Sequence, residues 1–344
     1  MCKRTASKHS HGKEISEKGK PNLQFEDLPL DLICTILSKL PQQEAIRTSV
    51  LSTRTKHLSF DLAPMRFAGR DDRGFPNLRT LDLNLLHVKR KELENMLSNC
   101  CCLESLSIVR CHLNDELKVD RPMSNLAYLH ICCCDITKIE LHATKLSTFI
   151  YDGDFVPIVL NHTSKLVTAY IFFSDTIFHR VVASLLHGLP NIHKLTLYFS
   201  DFRLENLWLL DHSLKFSRLK HIQLCGLVSP HNYDKILDLI SFMRVAPFIE
   251  NVEVHFASSF GLWFAQNGPL RHEFGPSEYK YFKNIHVTGF KGAKGQLEFL
   301  LHLVENAPAL EVITVDTTER MWEKENKNEY FLQFRSSGRR ISSS

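Results

Sequence analysis

The side chains with the clearest potential for chemistry are ten cysteines and eighteen histidines in a chain of 344 residues. Three consecutive cysteines occur twice, at Cys100–Cys102 and Cys132–Cys134. Neither run supplies the CxxC pairs that are typical of a structural zinc site. The alternative is a zinc site assembled from side chains that are distant in the sequence, namely Cys102, Cys111, His112 and His130.

Sequence patterns for covalent or phosphate chemistry are missing. The chain contains no GxSxG, HExxH or GxxxxGK[ST] motif. The glycine-rich stretch Gly289–Gly295 lacks the Lys-Ser/Thr pair that would hold phosphate and metal. It follows a predicted strand and precedes a predicted helix, so we interpret it as a turn. We therefore assign no catalytic residue, no metal ligand and no cofactor.

Charge is concentrated at the N-terminus. Residues 1–20 hold six of the 42 basic and two of the 38 acidic side chains, so this segment accounts for the whole net charge of +4. The rest of the chain is neutral, whereas a nucleic-acid-binding domain normally carries a basic surface. No signal-like apolar segment and no apolar run of about 18 residues is present. We expect an intracellular protein of the cytoplasm or nucleus whose partners are proteins rather than nucleic acid or membrane.

An LxxLxL pattern, in which other apolar residues replace some leucines, recurs ten times at intervals of 20 to 33 residues. This spacing is close to the period of leucine-rich repeats. It predicts an α/β fold, an irregular solenoid with one short parallel strand per unit on its concave face. The triads are Leu78-Leu81-Leu83, Leu103-Leu106-Ile108, Leu126-Leu129-Ile131, Leu146-Phe149-Tyr151, Leu166-Ala169-Ile171, Ile192-Leu195-Leu197, Leu219-Ile222-Leu224, Ile249-Val252-Val254, Phe282-Ile285-Val287 and Leu310-Ile313-Val315.

Helical patterns separate several of these predicted strands. The units between Leu126 and Leu166 are too short for full helices, and a short helix is predicted near Met321–Asn328 in the C-terminal tail. The predicted helices between strands cover residues 91–97, 176–186, 233–243 and 296–304.

Two cysteines occupy a conserved type of position within the repeat pattern. Cys111 and Cys134 each stand where the longer repeat consensus has Asn or Cys. We expect both side chains to turn inward and to bond the turning backbone, whose polar groups cannot be left unpaired. The positions between the triad leucines, such as Arg79, Thr80 and Asp82, are predicted to face a target. They are chemically mixed and show no aromatic row, so they do not predict the class of target.

A different periodicity occupies residues 24–58. One apolar helical stripe runs from Leu32 to Leu40, bounded by Pro29 and Pro41, and a second includes Val50 and Leu51. About 35 residues cannot bury a core of their own, so a partner protein is expected to cover them. The alternative is an N-terminal cap for the solenoid.

The string from Leu28 to Arg54 closely resembles the F-box of the plant F-box/LRR/FBD family. Residues 282–292 and 296–311 resemble the FBD region of the same family, and the whole similarity covers residues 24–58 and 75–316. Thr55 stands where the family has Trp. Only residues 59–74 separate the F-box from the first repeat, which predicts an exposed first edge of the repeat sheet.

This resemblance implies the substrate receptor of an SCF-type ubiquitin ligase, which is a non-catalytic subunit. The F-box would dock on the SCF adaptor and through it on cullin, and the repeats would bind a target protein. The alternative is a leucine-rich-repeat binding module with a degenerate F-box that recruits no ligase. The implied adaptor-binding residues are Leu28, Pro29, Ile33, Ile36, Leu37, Leu40, Pro41, Val50 and Leu51.

The resulting division of the chain has six parts. These are a disordered basic tail at 1–22, a three-helix F-box module at 23–58, a linker at 59–74, leucine-rich repeats at 75–245, FBD-like terminal repeats at 246–318 and a mostly disordered tail at 319–344.

Overall fold

The repeat region accounts for most of what the structure, a computed structural model, describes. The described residues are 57–61, 77–174, 178–199, 215–227, 236–237, 239–257, 278–323 and 331–334. The predicted basic tail and the nine adaptor-binding residues between Leu28 and Leu51 lie outside these ranges, as does Thr55.

Within the described residues, eleven parallel strands form one sheet in simple sequential order. The strands of this main sheet are β1 (His57–Asp61), β2 (Thr80–Asn84), β3 (Ser105–Val109), β5 (Tyr128–Cys132), β7 (Thr148–Asp154), β9 (Thr168–Ser174), β10 (Lys194–Phe199), β11 (His221–Leu227), β12 (Asn251–Ala257), β13 (Asn284–Thr288) and β14 (Val312–Val315).

The register of the sheet aligns the repeat leucines into columns. Each of the ten triads places its second and third residues on a strand, which confirms the predicted unit. Because side chains alternate along a strand, both residues point to the same face. The second residues of the triads lie opposite one another from strand to strand, in the order Leu81, Leu106, Leu129, Phe149, Ala169, Leu195, Ile222, Val252, Ile285 and Ile313.

A second layer covers this apolar face. It includes the helices α1 (Arg90–Ser98), α2 (Phe178–Gly188), α3 (Leu239–Val245) and α4 (Lys294–Asn306), together with the small parallel sheet of β4 (His112–Val119), β6 (Asp135–His142) and β8 (Ile158–Asn161).

The helices predicted at 91–97 and 296–304 are confirmed in full. Those predicted at 176–186 and 233–243 are confirmed for residues 178–186 and 239–243. The short central units use strands instead. A strand advances about 3.3 Å per residue and a helix about 1.5 Å, so a short unit can cross the back of the sheet only in extended form. Side chains of both layers form one hydrophobic core.

Gly289 marks the turn between β13 and α4. Its φ is +66°, and a Cβ atom there would lie 1.9 Å from the carbonyl oxygen of Phe256. Only glycine fits this position. The interpretation of this stretch as a turn is confirmed for residues 289–293, whereas Lys294 and Gly295 already belong to α4.

Two predictions near the ends of the repeats are wrong. Residues 57–61, placed at the junction of module and linker, form β1 and pair with β2, so the edge at β2 is covered. The sequence HLSFD alternates polar and apolar residues, as the other strands do. In the tail, a helix is predicted near Met321–Asn328, but residues 321–323 lie in strand β15 (Arg320–Glu323), which pairs antiparallel with β16 (Phe331–Phe334). The rest of that predicted helix lies outside the described residues. Trp322 of β15 and the two phenylalanines of β16 are residues that favour strands.

The C-terminal end of the main sheet is open. Ile313 of β14 is 46% exposed although its register partner Ile285 is 1% exposed. Leu297, Leu301 and Val304, one stripe of α4, are exposed as well. Among the described residues, no strand pairs with the outer edge of β14.

These two isoleucines provide a matched test of the core. We expect Ile285→Ala to lower the free energy of unfolding by about 2–5 kcal/mol, because it leaves a cavity. Ile313→Ala should cost about 1 kcal/mol or less, because the side chain already contacts solvent. Urea unfolding followed by circular dichroism measures both. If the two variants lose the same free energy of unfolding, the side chain of Ile313 is buried in solution as that of Ile285 is.

Candidate functional site

The candidate site is the polar face of the main sheet, which we define as the side chains that alternate with the inward columns and point away from the core. Two rows of this face cross most of the strands. The row nearer the strand ends contains Val109, Cys132, Asp152, Phe172, Tyr198, Cys225, His255 and Thr288. The row below it contains Ser107, His130, Ile150, Tyr170, Thr196, Gln223, Glu253 and His286.

A carboxylate between two histidines dominates the polar face at β11 and β12. Oε1 of Glu253 lies 2.9 Å from Nε2 of His221, and its Oε2 lies 3.3 Å from Nε2 of His255. These contacts, that with His221 first, hold the pKa of Glu253 well below its usual range. They outweigh burial, which on its own would raise the pKa of this carboxyl. Glu253 is therefore ionised at neutral pH.

Hydrogen bonds extend this charge centre over four strands. His255 is fully buried, and its Nδ1 lies 2.9 Å from Oγ1 of Thr288. The amide nitrogen of Gln223 lies 3.0 Å from Nε2 of His255 and donates to Glu253 over 3.2 Å. The hydroxyl of Thr196 donates to Oε1 of Gln223 over 3.2 Å. These hydrogen bonds connect side chains of four neighbouring strands, β10 to β13, and so favour one arrangement of them.

An aromatic group occupies the centre of the polar face. Tyr170, Phe172 and Tyr198 are half-buried on the neighbouring strands β9 and β10. The rings of Phe172 and Tyr198 stack with centroids 4.7 Å apart. Burial, and to a smaller extent Cys225, raises the pKa of Tyr198, so its hydroxyl stays protonated at neutral pH.

The expectation that this face has no aromatic row is therefore wrong. Tyr170 lies between two triad residues, but Phe172 and Tyr198 each come one position after a triad. They lie on the polar face because β9 and β10 continue beyond the triads, so the alternation of side chains continues as well. The signal in the sequence was the continued alternation of TAYIFF and KLTLYF.

The side chains considered as zinc ligands from the sequence contact different residues and do not come together. Nδ1 of His112 lies 2.5 Å from Oδ2 of Asp135, and its ring stacks on His87. Nδ1 of His130 lies 3.3 Å from the hydroxyl of Ser107. Within the described residues, no cluster of possible ligand atoms includes Cys102, Cys111, His112 or His130.

Cys111 and Cys134 lie in the core and contact the backbone. The backbone N–H of Cys111 donates to Sγ of Cys134 over 3.4 Å. The thiol of Cys134 donates to the carbonyls of Cys132 and Ile108, and that of Cys111 donates to the carbonyl of Val109. Bonding to Cys111, together with burial, raises the pKa of Cys134 so far that it stays a thiol.

Cys134 can be tested by substitution. Cys134→Ala leaves the buried N–H of Cys111 without its acceptor, so we expect a loss of about 1–3 kcal/mol of unfolding free energy. Cys134→Ser keeps an acceptor and should recover part of that loss. Chemical denaturation in a reducing buffer measures both variants. If Cys134→Ala has the same free energy of unfolding as the wild-type chain, the hydrogen bond from Cys111 to Cys134 does not stabilise the fold.

The network at Glu253 predicts a pH dependence of stability. Because the pKa of Glu253 is lower in the folded chain than its unfolded value of about 4.3, its contribution is complete above that pH and fades as the pH falls below it. Glu253→Gln should lower the free energy of unfolding by about 1–3 kcal/mol at pH 7. The difference in unfolding free energy between the variant and the wild-type chain should become smaller below a pH of about 4.3.

Glu104 offers a control for this measurement. It pairs with Arg79 over 2.7 Å, but both side chains are about half exposed. Glu104→Gln should therefore change the free energy of unfolding by at most about 1 kcal/mol. Urea unfolding at several pH values compares the variants. If the difference in unfolding free energy between Glu253→Gln and the wild-type chain does not change with pH, ionised Glu253 does not stabilise the folded chain.

A parallel sheet with one strand per LxxLxL unit, backed by helices and short strands, defines a leucine-rich-repeat protein. The chain belongs to the family described as the leucine-rich-repeat domain of At1g61320/AtMIF1, which matches residues 30–338. Together with the relatives, this confirms the predicted membership of the plant F-box/LRR/FBD family.

The relatives are plant proteins of Arabidopsis thaliana. The F-box/FBD/LRR-repeat protein At1g13570 is 26% identical over 284 residues, which cover 76% of this chain and 59% of that protein. The FBD-associated F-box protein At1g61320 is 22% identical over 264 residues, which cover 69% of this chain and 56% of that protein. The chain thus spans less than two thirds of the length of each. No solved structure gives a significant match.

No helix among the described residues has the length and apolar character needed to cross a membrane.

Proposed function

We propose that this chain is the target-recognition subunit of an SCF-type ubiquitin ligase. The observation that carries the proposal is the string from Leu28 to Arg54, which resembles an F-box and precedes a leucine-rich-repeat sheet. Its relatives are named F-box proteins, which supports the same function. The F-box would dock on the SCF adaptor and so bring the chain to cullin, in the cytoplasm or nucleus.

The polar face would bind the target protein. Aromatic side chains that are already packed lose little conformational freedom on binding, and such residues dominate the energy of protein interfaces. Phe172 and Tyr198 are held by stacking, and the neighbouring network of Gln223, Glu253 and His255 is held by hydrogen bonds. This combination of a stacked aromatic centre and a fixed polar border suits a protein partner better than a small molecule.

The chain would contribute proximity rather than chemistry. A receptor that holds a target near the charged conjugating enzyme raises the effective concentration of the target lysines. Ubiquitin transfer itself belongs to other subunits.

Co-purification with the adaptor tests the proposal. We expect the tagged full-length chain to recover adaptor and cullin, and Leu28→Ala combined with Pro29→Ala to lower that recovery at least about tenfold, because interface energy is concentrated in few apolar side chains. Tyr198→Ala is the control, since it alters the polar face and should leave adaptor recovery unchanged. Equal recovery by the double variant and the wild-type chain would contradict docking through this string.

A second function is favoured by Thr55, which stands where the family has Trp. In that case the chain binds targets without recruiting a ligase and acts by sequestering them. The same assay separates the two functions when Thr55→Trp is included. Adaptor recovery that is absent in the wild-type chain and appears in Thr55→Trp would establish the degenerate F-box and reject the ligase.

A further inference from the structure

The two runs of three cysteines are alike in sequence but differ in their surroundings. In the first run, Cys100 is buried and its thiol donates to the carbonyl of Met96 over 3.2 Å, while Cys101 is exposed. Glu104, the carboxylate whose charge acts on Cys102, is paired with Arg79. The carboxylate that acts on the first run is therefore already engaged in an ion pair.

In the second run, strand pairing places a carboxylate next to two thiols. Cys132 is the last residue of β5, and the register sets it directly opposite Asp152 of β7. Sγ of Cys132 lies 3.4 Å from Oδ2 of Asp152 and 3.5 Å from Sγ of Cys133. The three ligand atoms all lie within 4.8 Å of one another.

The backbone of Cys133 explains how two consecutive residues place their sulfurs together. In a regular strand, successive side chains point to opposite faces. Cys133 has a φ of +51°, in the left-handed region, which ends the alternation directly after Cys132. Its thiol thus remains near that of Cys132. Cys132 and Asp152 are buried and Cys133 is exposed, so the cluster opens to solvent on one side.

Two of the three distances between the ligand atoms match edges of a metal-binding tetrahedron, and the third, from Sγ of Cys133 to the carboxylate of Asp152, is at most 4.8 Å. Zinc bonds sulfur at about 2.3 Å and carboxylate oxygen at about 2.0–2.2 Å, which in tetrahedral geometry sets S···S near 3.8 Å and S···O near 3.5–3.7 Å. The observed 3.5 Å and 3.4 Å are within about 0.3 Å of these values. An ion could therefore bind with small shifts of side chains.

We propose that Cys132, Cys133 and Asp152 form a binding site for a thiophilic divalent cation of the zinc class. On binding, the two thiols release their protons to solvent and become thiolates, and the carboxylate of Asp152 supplies the third ligand. Water completes the tetrahedron from the exposed side of Cys133. The site lies in the row of the polar face that continues to Phe172, and it goes beyond the proposed function because it requires no ligase subunit.

Cobalt serves as the spectroscopic probe, because thiolate ligands give Co²⁺ a charge-transfer absorption. We expect the full-length, reduced and chelator-treated chain to bind one Co²⁺ with this band and to release two protons. Zn²⁺ should displace the cobalt, since zinc binds such sites more tightly. Absence of the thiolate band at saturating Co²⁺ overturns the proposal.

The first cysteine run supplies the matched control. Cys133→Ser and Asp152→Asn should each weaken Co²⁺ binding at least about tenfold, whereas Cys101→Ser, at the exposed middle position of the other run, should bind as the wild-type chain does. Circular dichroism checks that all variants fold, and substitution of exposed Cys133 leaves the core intact. Wild-type affinity in Cys133→Ser, or loss of binding in Cys101→Ser, overturns the assignment.

Discussion

The structure depends on one constraint, which is that no repeat can bury its own inward side chains. Each unit offers two apolar residues on one face of a short strand, and the neighbouring strands supply their cover. The register therefore has to match from strand to strand, because a slip by one residue would turn both side chains away from the core. In each triad from the first to the ninth, the second residue (Leu81 to Ile285) is almost fully buried. In the last triad the second residue, Ile313, is about half exposed. That contrast shows how much of the burial comes from the neighbouring unit.

The same constraint shapes the polar face. Side chains between the inward columns are lined up across strands by the register that buries the core. Glu253 thereby meets Gln223 on the neighbouring strand, and His255 meets Thr288. A carboxylate in such a place is tolerated because two histidines lie beside it, which lowers its pKa, and because its Oε2 accepts a hydrogen bond from Gln223. The arrangement of the polar face is thus a consequence of core packing.

Binding surfaces of repeat proteins are built by addition along the array. Here the central strands contribute stacked aromatic rings, and the later strands contribute the bonded polar network. On the other side of the rings, Cys132 and Asp152 bring sulfur and oxygen ligands together. Under the proposed function, target choice would depend on these rows rather than on the inward columns.

The sequence alone determined the repeat unit, the ten triads and the family, because apolar periodicity and the F-box string are local patterns that need no knowledge of neighbours. It also predicted the helices behind the sheet and their loss in the short central units. The sequence did not predict β1 or the paired tail strands β15 and β16, because these short strands lie outside the triads and gain their stability from pairing. Pairing across strands was likewise decisive for the site. The two cysteine runs differ in sequence only by their place in the repeat pattern, and only the register of β5 against β7 places Asp152 beside one of them. A contact between residues twenty positions apart is set by tertiary packing, which no local pattern records.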